Sequence, residues 1–161
     1  MERDIIGTGV AFPLRVDRGG GIALSSGVDD VEEAIAVILG TAPGERPMRP
    51  EFGCGIHDFV FETMDASTLG KIEHEIRDAL DRWEPRIDVL DVDIGPWEIR
   101  QDVLDRVPAA SVNGRPAHAV DVHSLSPGDG VLRIDISYVL RATNDLRNLV
   151  YPFYIVPTEA E

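Results

Sequence analysis

A lone cysteine, the absence of any long apolar run and a shortage of positive charge set the first limits on this chain. Cys54 has no second cysteine to pair with, so no internal disulfide staples the fold, and no Cys or His stands beside it at metal-ligand spacing. It reads as a small apolar side chain, buried or half-buried. No stretch approaches the roughly 20 apolar residues that cross a bilayer as a helix, and the opening MERDIIGTGVAFPL lacks the basic start, apolar centre and cleavage site of a secretory signal. The chain is therefore expected to be made and kept in the cytoplasm unless it leaves inside something larger.

Fifteen Lys and Arg stand against 29 Asp and Glu, a formal charge of −14. That balance repels phosphate backbones and anionic lipid, which argues against nucleic acid and membrane as partners. It suits solubility, and it suits a complementary basic surface on a protein partner; charge alone does not choose. His57, His74, His118 and His123 are scattered, and neither a GxSxG elbow nor a phosphate loop is present. No cofactor, metal or catalytic residue is expected.

What remains is an ordinary globular composition, 43% apolar and 27% charged over 161 residues, which fits one domain, residues 1–161, with a real core. The first third reads as an extended, glycine-punctuated arm. Phe12-Pro13-Leu14 is expected to tuck apolar groups onto the core, and Ile22 and Leu24 to form a short strand. Val31, Ala34, Ile35, Ile38 and Leu39 then recur at helical spacing from Asp29, with acids in the first turn and Gly40 as the stop. Pro43 to Gly55, PGERPMRPEFGCG, holds three prolines and three glycines and predicts an ordered loop packed on the domain rather than regular structure. Ile56, Phe59, Val60 and Phe61 form a short apolar turn.

A second helix, capped by Asp65 or Ser67, carries Leu69, Ile72, Ile76, Ala79, Leu80 and Trp83 on one face, with Glu73 and Arg77 paired at i,i+4 and Pro85 as its stop. Strands follow. Ile87 to Ile94 alternates but changes register between Val89 and Leu90, which predicts a bulge. Leu132, Ile134, Ile136, Tyr138 and Leu140 alternate cleanly with polar neighbours. Asn144-Asp145 marks a turn, and Leu149, Tyr151, Phe153 and Ile155 alternate in a last strand, placed at a sheet edge by Pro152. Residues 96–130 read as an insertion, with a short helix from Glu98 to Val107 and a hairpin turn at Asn113-Gly114.

The motif WEPRI, Trp83 to Ile87, sits where helix passes into strand. Proline fixes the elbow, and Glu84 and Arg86 can share one side of it. Arg86 presents a planar fork for a carboxylate or backbone carbonyls. Two readings stand level: an internal tie, including one to the acidic start of the first helix, or a contact for a partner.

GTGVAFPL, the helix leading into LGTAPGERPMRPEFG, the FETMDAS stretch and WEPRI together resemble, in the same order, the baseplate wedge family of contractile tails. Its members seed the tail sheath in phages, type VI secretion systems and extracellular injection particles, and some are labelled lysozyme-like. The resemblance covers about residues 5–95 and 131–155, and RATNDLRNLVYPFYI looks most like members from extracellular injection particles. It implies an α+β fold, two main amphipathic helices on a small, mostly antiparallel sheet with an extended N-terminal arm. It implies that Glu84, Pro85 and Arg86 bind the core bundle of larger wedge subunits. It implies that the sheet edge, with Leu149, Tyr151 and Phe153, receives extended arms of sheath subunits, strand added to strand. Hub and inner tube proteins are further implied partners, and the implied location is the baseplate of the assembled particle.

The competing class is glycoside hydrolysis, which needs two carboxylates about 5 to 10 Å apart, one with a raised pKa. Glu45 with Glu51, or Glu62 with Asp65, are pairs that can be drawn, though neither has a diagnostic context. A generic adaptor would explain the charge and the edge strand but not the GER and EPR passages.

Overall fold

A computed structural model describes residues 6–96 and 130–155. The hairpin predicted at Asn113-Gly114 and the helix from Glu98 to Val107 lie outside the described residues. The elements run β1 (Thr8–Val10), β2 (Leu24–Ser26), α1 (Val28–Leu39), a 3₁₀ turn (Gly55–Phe59), α2 (Ala66–Trp83), β3 (Ile87–Pro96), β4 (Val131–Leu140) and β5 (Asp145–Tyr154). β3, β4 and β5 form an antiparallel sheet in that order, and β1 and β2 a separate antiparallel ribbon. The α+β architecture expected from the sequence is the one observed.

Both helices place their apolar stripes against one face of the sheet. Val31, Ile35, Ile38 and Leu39 of α1 and Ile72, Ile76, Ala79 and Leu80 of α2 join Ile134, Ile136, Tyr138 and Leu140 in one continuous core. The Asp65 carboxylate accepts from the Thr68 N–H at 2.8 Å and caps α2, satisfying a donor that the first helical turn leaves free. Glu73 and Arg77 pair at 3.1 Å, as their spacing predicts.

The bulge falls where the alternation changes. Val89 pairs with Tyr138 and Asp91 with Ser137, so Leu90 is the extra residue. Without it, the half of β3 carrying Val92 and Ile94 would turn its apolar side chains to solvent; with it, both halves face the core.

The proline-rich loop is ordered, as expected. Cys54 N–H returns to the Thr41 carbonyl at 2.9 Å, and Gly44 N–H to Pro50 at 2.6 Å. Arg46 lies over Phe52 at 4.0 Å, and Phe52 packs on Trp83 at 5.2 Å, which fastens the loop to the end of α2. Gly53 adopts φ +119°, and any side chain there would collide with the Thr41 carbonyl oxygen, so only glycine fits.

The N-terminal arm differs from expectation. β1 pairs with β2, and the ribbon continues through the Val16–Ile22 bridge. Phe12 and Leu14 are not tucked inside; they are 46% and 72% exposed, and Ala11 and Ser25 are the residues of the arm that are buried. Phe12 is held by its backbone instead, its N–H donating to Glu33 at 2.9 Å. A ribbon only two strands wide can cover α1 with one face, and Ala11 and Ser25 are small enough for that close approach.

Candidate partner-binding surfaces

The elbow is an internal network. Glu84 is 3% exposed, too buried to stand as an isolated charge, and Arg86 answers both of its oxygens: Nε donates to Oε1 and Nη2 to Oε2, each at 2.6 Å. The remaining terminal nitrogen, Nη1, donates to Asp30 Oδ2 at 2.5 Å and to the Ile6 carbonyl at 3.4 Å. Arg86 thus joins the helix–strand elbow, the start of α1 and the root of the ribbon. Its bonds to Glu84, and then to Asp30, hold the guanidinium well above its ordinary pKa against the opposing effect of burial. Of the two sequence readings, the tie to the first helix is present in this chain. Pro85 stands exposed at the apex, and Arg86 keeps a partly exposed side chain.

β5 begins at Asp145, earlier than its apolar alternation suggests, because the pairing with β4 starts directly after the turn at Asn144, whose φ is 53°. Among the described residues it is an edge strand, as Pro152 predicts. The Ile155 N–H donates to Gly130 at 2.6 Å, which sets the phase of the ladder. Odd-numbered residues of β5 turn their backbone groups toward β4, and even-numbered ones turn them outward. Pro152 occupies an outward position, where its missing N–H costs the sheet nothing. The side chains follow the same parity: Leu149 and Phe153 are buried in the core and Tyr151 packs against it. These three residues hold the strand in place, and what the edge offers a partner is the backbone of Asn148, Val150 and Tyr154.

Beside this edge runs a groove of about 780 Å³, lined by Ala36 and Val37 of α1 and its capping Gly40, by Leu149 to Pro152 with Tyr154, and by Phe12 and Pro13. It is open to solvent and largely apolar. The sequence announces the edge through Pro152; it does not announce the groove, which exists because α1 and its cap present small residues, Ala36 and Gly40, where a larger pair would close the gap.

Of the carboxylates named for a hydrolase, Glu45 and Asp65 each serve a local end. Glu45 accepts from the Ala42 N–H at 3.0 Å. Asp65 is occupied as the α2 cap, and the backbone N–H of Thr68 holds it below its ordinary pKa, the opposite of what a general acid requires. Burial pushes Cys54 up to about 11, so it is no thiolate nucleophile. Among the described residues no cluster of metal-ligating side chains is found.

The sequence model of the family described as baseplate wedge protein gp25 matches residues 25–115. The chain is 34% identical over 100 residues to baseplate wedge protein gp25 of Enterobacteria phage T4, spanning 57% of this chain and 76% of that protein. A crystal structure from Geobacter sulfurreducens named as a tail lysozyme shares 43% identity, with a TM-score of 0.60 over 84% of this chain and 97% of the other. A chain of the anti-feeding prophage baseplate shares 27% identity, with a TM-score of 0.54 over 95% of this chain and 88% of that one. By a match over more than half its length and by identity to a relative most of which it spans, this chain belongs to the baseplate wedge protein gp25 family.

Proposed function

We propose that this chain is a structural, non-catalytic member of a contractile-tail baseplate that starts the sheath by accepting an extended arm of a sheath subunit as a fourth strand beside β5. The observation that carries the reading is the β5 edge lying in an open apolar groove, its outward backbone groups without a strand partner among the described residues. An open row of backbone donors and acceptors must be blunted or used. Here Pro152 blunts one position, and the groove keeps room for a strand and its inward side chains. The exposed elbow at Pro85, with Arg86 fixed beneath it, is the contact for the larger wedge subunits, and hub or tube proteins lie beyond these. Assembly takes place in the cytoplasm, and the finished chain resides in the baseplate.

The test uses the parity of β5. Val150→Pro removes an outward donor without touching the ladder to β4, so the domain folds. Baseplates are expected to form and to carry bare tubes. Sheaths of normal length on baseplates bearing Val150→Pro would sink the proposal. Peptidoglycan is expected to stay intact with purified protein, and turnover abolished by a single acid-to-amide change would overturn the non-catalytic reading.

A further inference from the structure

The ribbon has a face that is left exposed among the described residues. Its inner face, Ala11 and Ser25, lies on α1. On the outer face Val10 pairs with Leu24 and Val16 with Ile22, residues that share a side of the sheet, and these four are 56%, 65%, 72% and 59% exposed. Leu14 adds to them from the bend. Scattered exposed apolar residues need no explanation, but a contiguous aliphatic stripe on a two-stranded ribbon marks a contact surface.

The ribbon is also rigidly placed. Gly27 N–H bonds the Gly7 carbonyl at 3.0 Å, Glu33 holds Phe12, and Arg86 holds Ile6. At the tip, Asp17 accepts from the Gly19 and Gly21 N–H groups at 2.8 Å and fixes the turn. A surface fixed before contact loses little freedom on binding.

Charge identifies the occupant. Residues 6–27 carry Arg15 and Arg18 against Asp17 alone, a local excess of one positive charge on a chain of net −14. Arg77, Arg86, Arg133, Arg141 and Arg147 are each paired with a carboxylate, and Arg82 of α2 lies over the Trp83 ring. Arg15 and Arg18 make no ion pair among the described residues. We propose that the outer face of the β1–β2 ribbon docks onto an apolar surface rimmed by carboxylates on a different protein of the same baseplate, Arg15 and Arg18 meeting that rim.

Two other occupants fit less well. Ribbon against ribbon in a second copy would bring four arginines together. The outer sheet face of a second copy has exposed Leu146 and Tyr154, but its carboxylates Asp88, Asp93 and Asp145 are already paired, and whole copies of charge −14 repel. An anionic bilayer is opposed by the same net charge.

The test places a photocrosslinker in the full chain, Val16→p-benzoylphenylalanine, within purified assembled baseplates. A crosslink to a different baseplate subunit, at a peptide where apolar residues adjoin Asp or Glu, is the expected result. A crosslink only to another copy of this chain, or none at all in intact baseplates, overturns the proposal. In parallel, the surface variant R15E/R18E should melt as the parent does yet enter baseplates at least about tenfold less well. Normal incorporation of R15E/R18E, or binding of the parent chain to phosphatidylglycerol vesicles that R15E/R18E loses, also overturns it. Failure of the groove reading shows itself differently, as full sheaths on Val150→Pro baseplates, so the two are separable.

Discussion

The guanidinium of Arg86 reaches back 56 positions along the chain to the carboxylate of Asp30, at 2.5 Å. That bond, with the fork to Glu84, makes one side chain the junction of elbow, first helix and ribbon. Arg86→Ala strands the buried Glu84 carboxylate without its partner. Because Arg86 itself is partly exposed, the expected loss is at the lower end for broken buried pairs, about 2 to 3 kcal/mol in urea unfolding. Arg86→Lys is expected to recover only part of it, since an ammonium cannot bridge both Glu84 oxygens and Asp30. Faster amide exchange at Gly27 and at the neighbouring ribbon residues should accompany it. Unchanged stability would refute the junction.

Neighbouring prolines in β5 should behave oppositely. Val150→Pro, at an outward position, is expected to cost about 1 kcal/mol or less, whereas Tyr151→Pro removes a ladder bond to β4 and should cost about 3 kcal/mol or more. Equal losses in denaturant titrations would show that the assigned phase is wrong.

Deleting Leu90 restores a regular strand, because Val89 opposite Tyr138 is then followed directly by Asp91 opposite Ser137. The deletion loses the Arg77 bond to the Leu90 carbonyl and should cost about 1 kcal/mol. Deleting Ser137 from unbulged β4 turns half of its apolar face outward and should abolish folding. Circular dichroism and thermal melting distinguish the two.

Cys54 is raised to about 11 from 9.0, with burial as the main cause. At pH 8 the folded thiol should therefore be alkylated about a hundredfold more slowly than an ordinary one, and fast labelling should appear only on unfolding. The sign for stability follows from the raised value. The protonated thiol is favoured in the folded state, so its contribution is complete below about 9 and declines as pH rises toward 11. Rapid labelling of the native chain at pH 8 would contradict the buried environment.

Much of this molecule was legible in one dimension because its signals are local. The apolar spacing of Ile72, Ile76 and Leu80 requires a helix with one buried face. Asp65 caps that helix through a backbone group three residues away. The broken alternation after Val89 reports the bulge, and Pro152 reports an edge, since a residue without an N–H is excluded from the middle of a sheet. The GER and EPR passages pointed to the family that the comparisons show.

Tertiary structure alone decided what long-range geometry controls. Whether Arg86 binds Asp30 or a partner depends on where α1 lies relative to the elbow, and no local pattern carries that distance. The same holds for the groove, whose two walls come from α1 and β5. Phe12-Pro13-Leu14 reads in sequence as apolar material for the core, yet Phe12 and Leu14 stand exposed, as do Val10, Val16, Ile22 and Leu24. Hydrophobicity specifies that a side chain is better out of water; only the packed chain determines whether this domain can cover it.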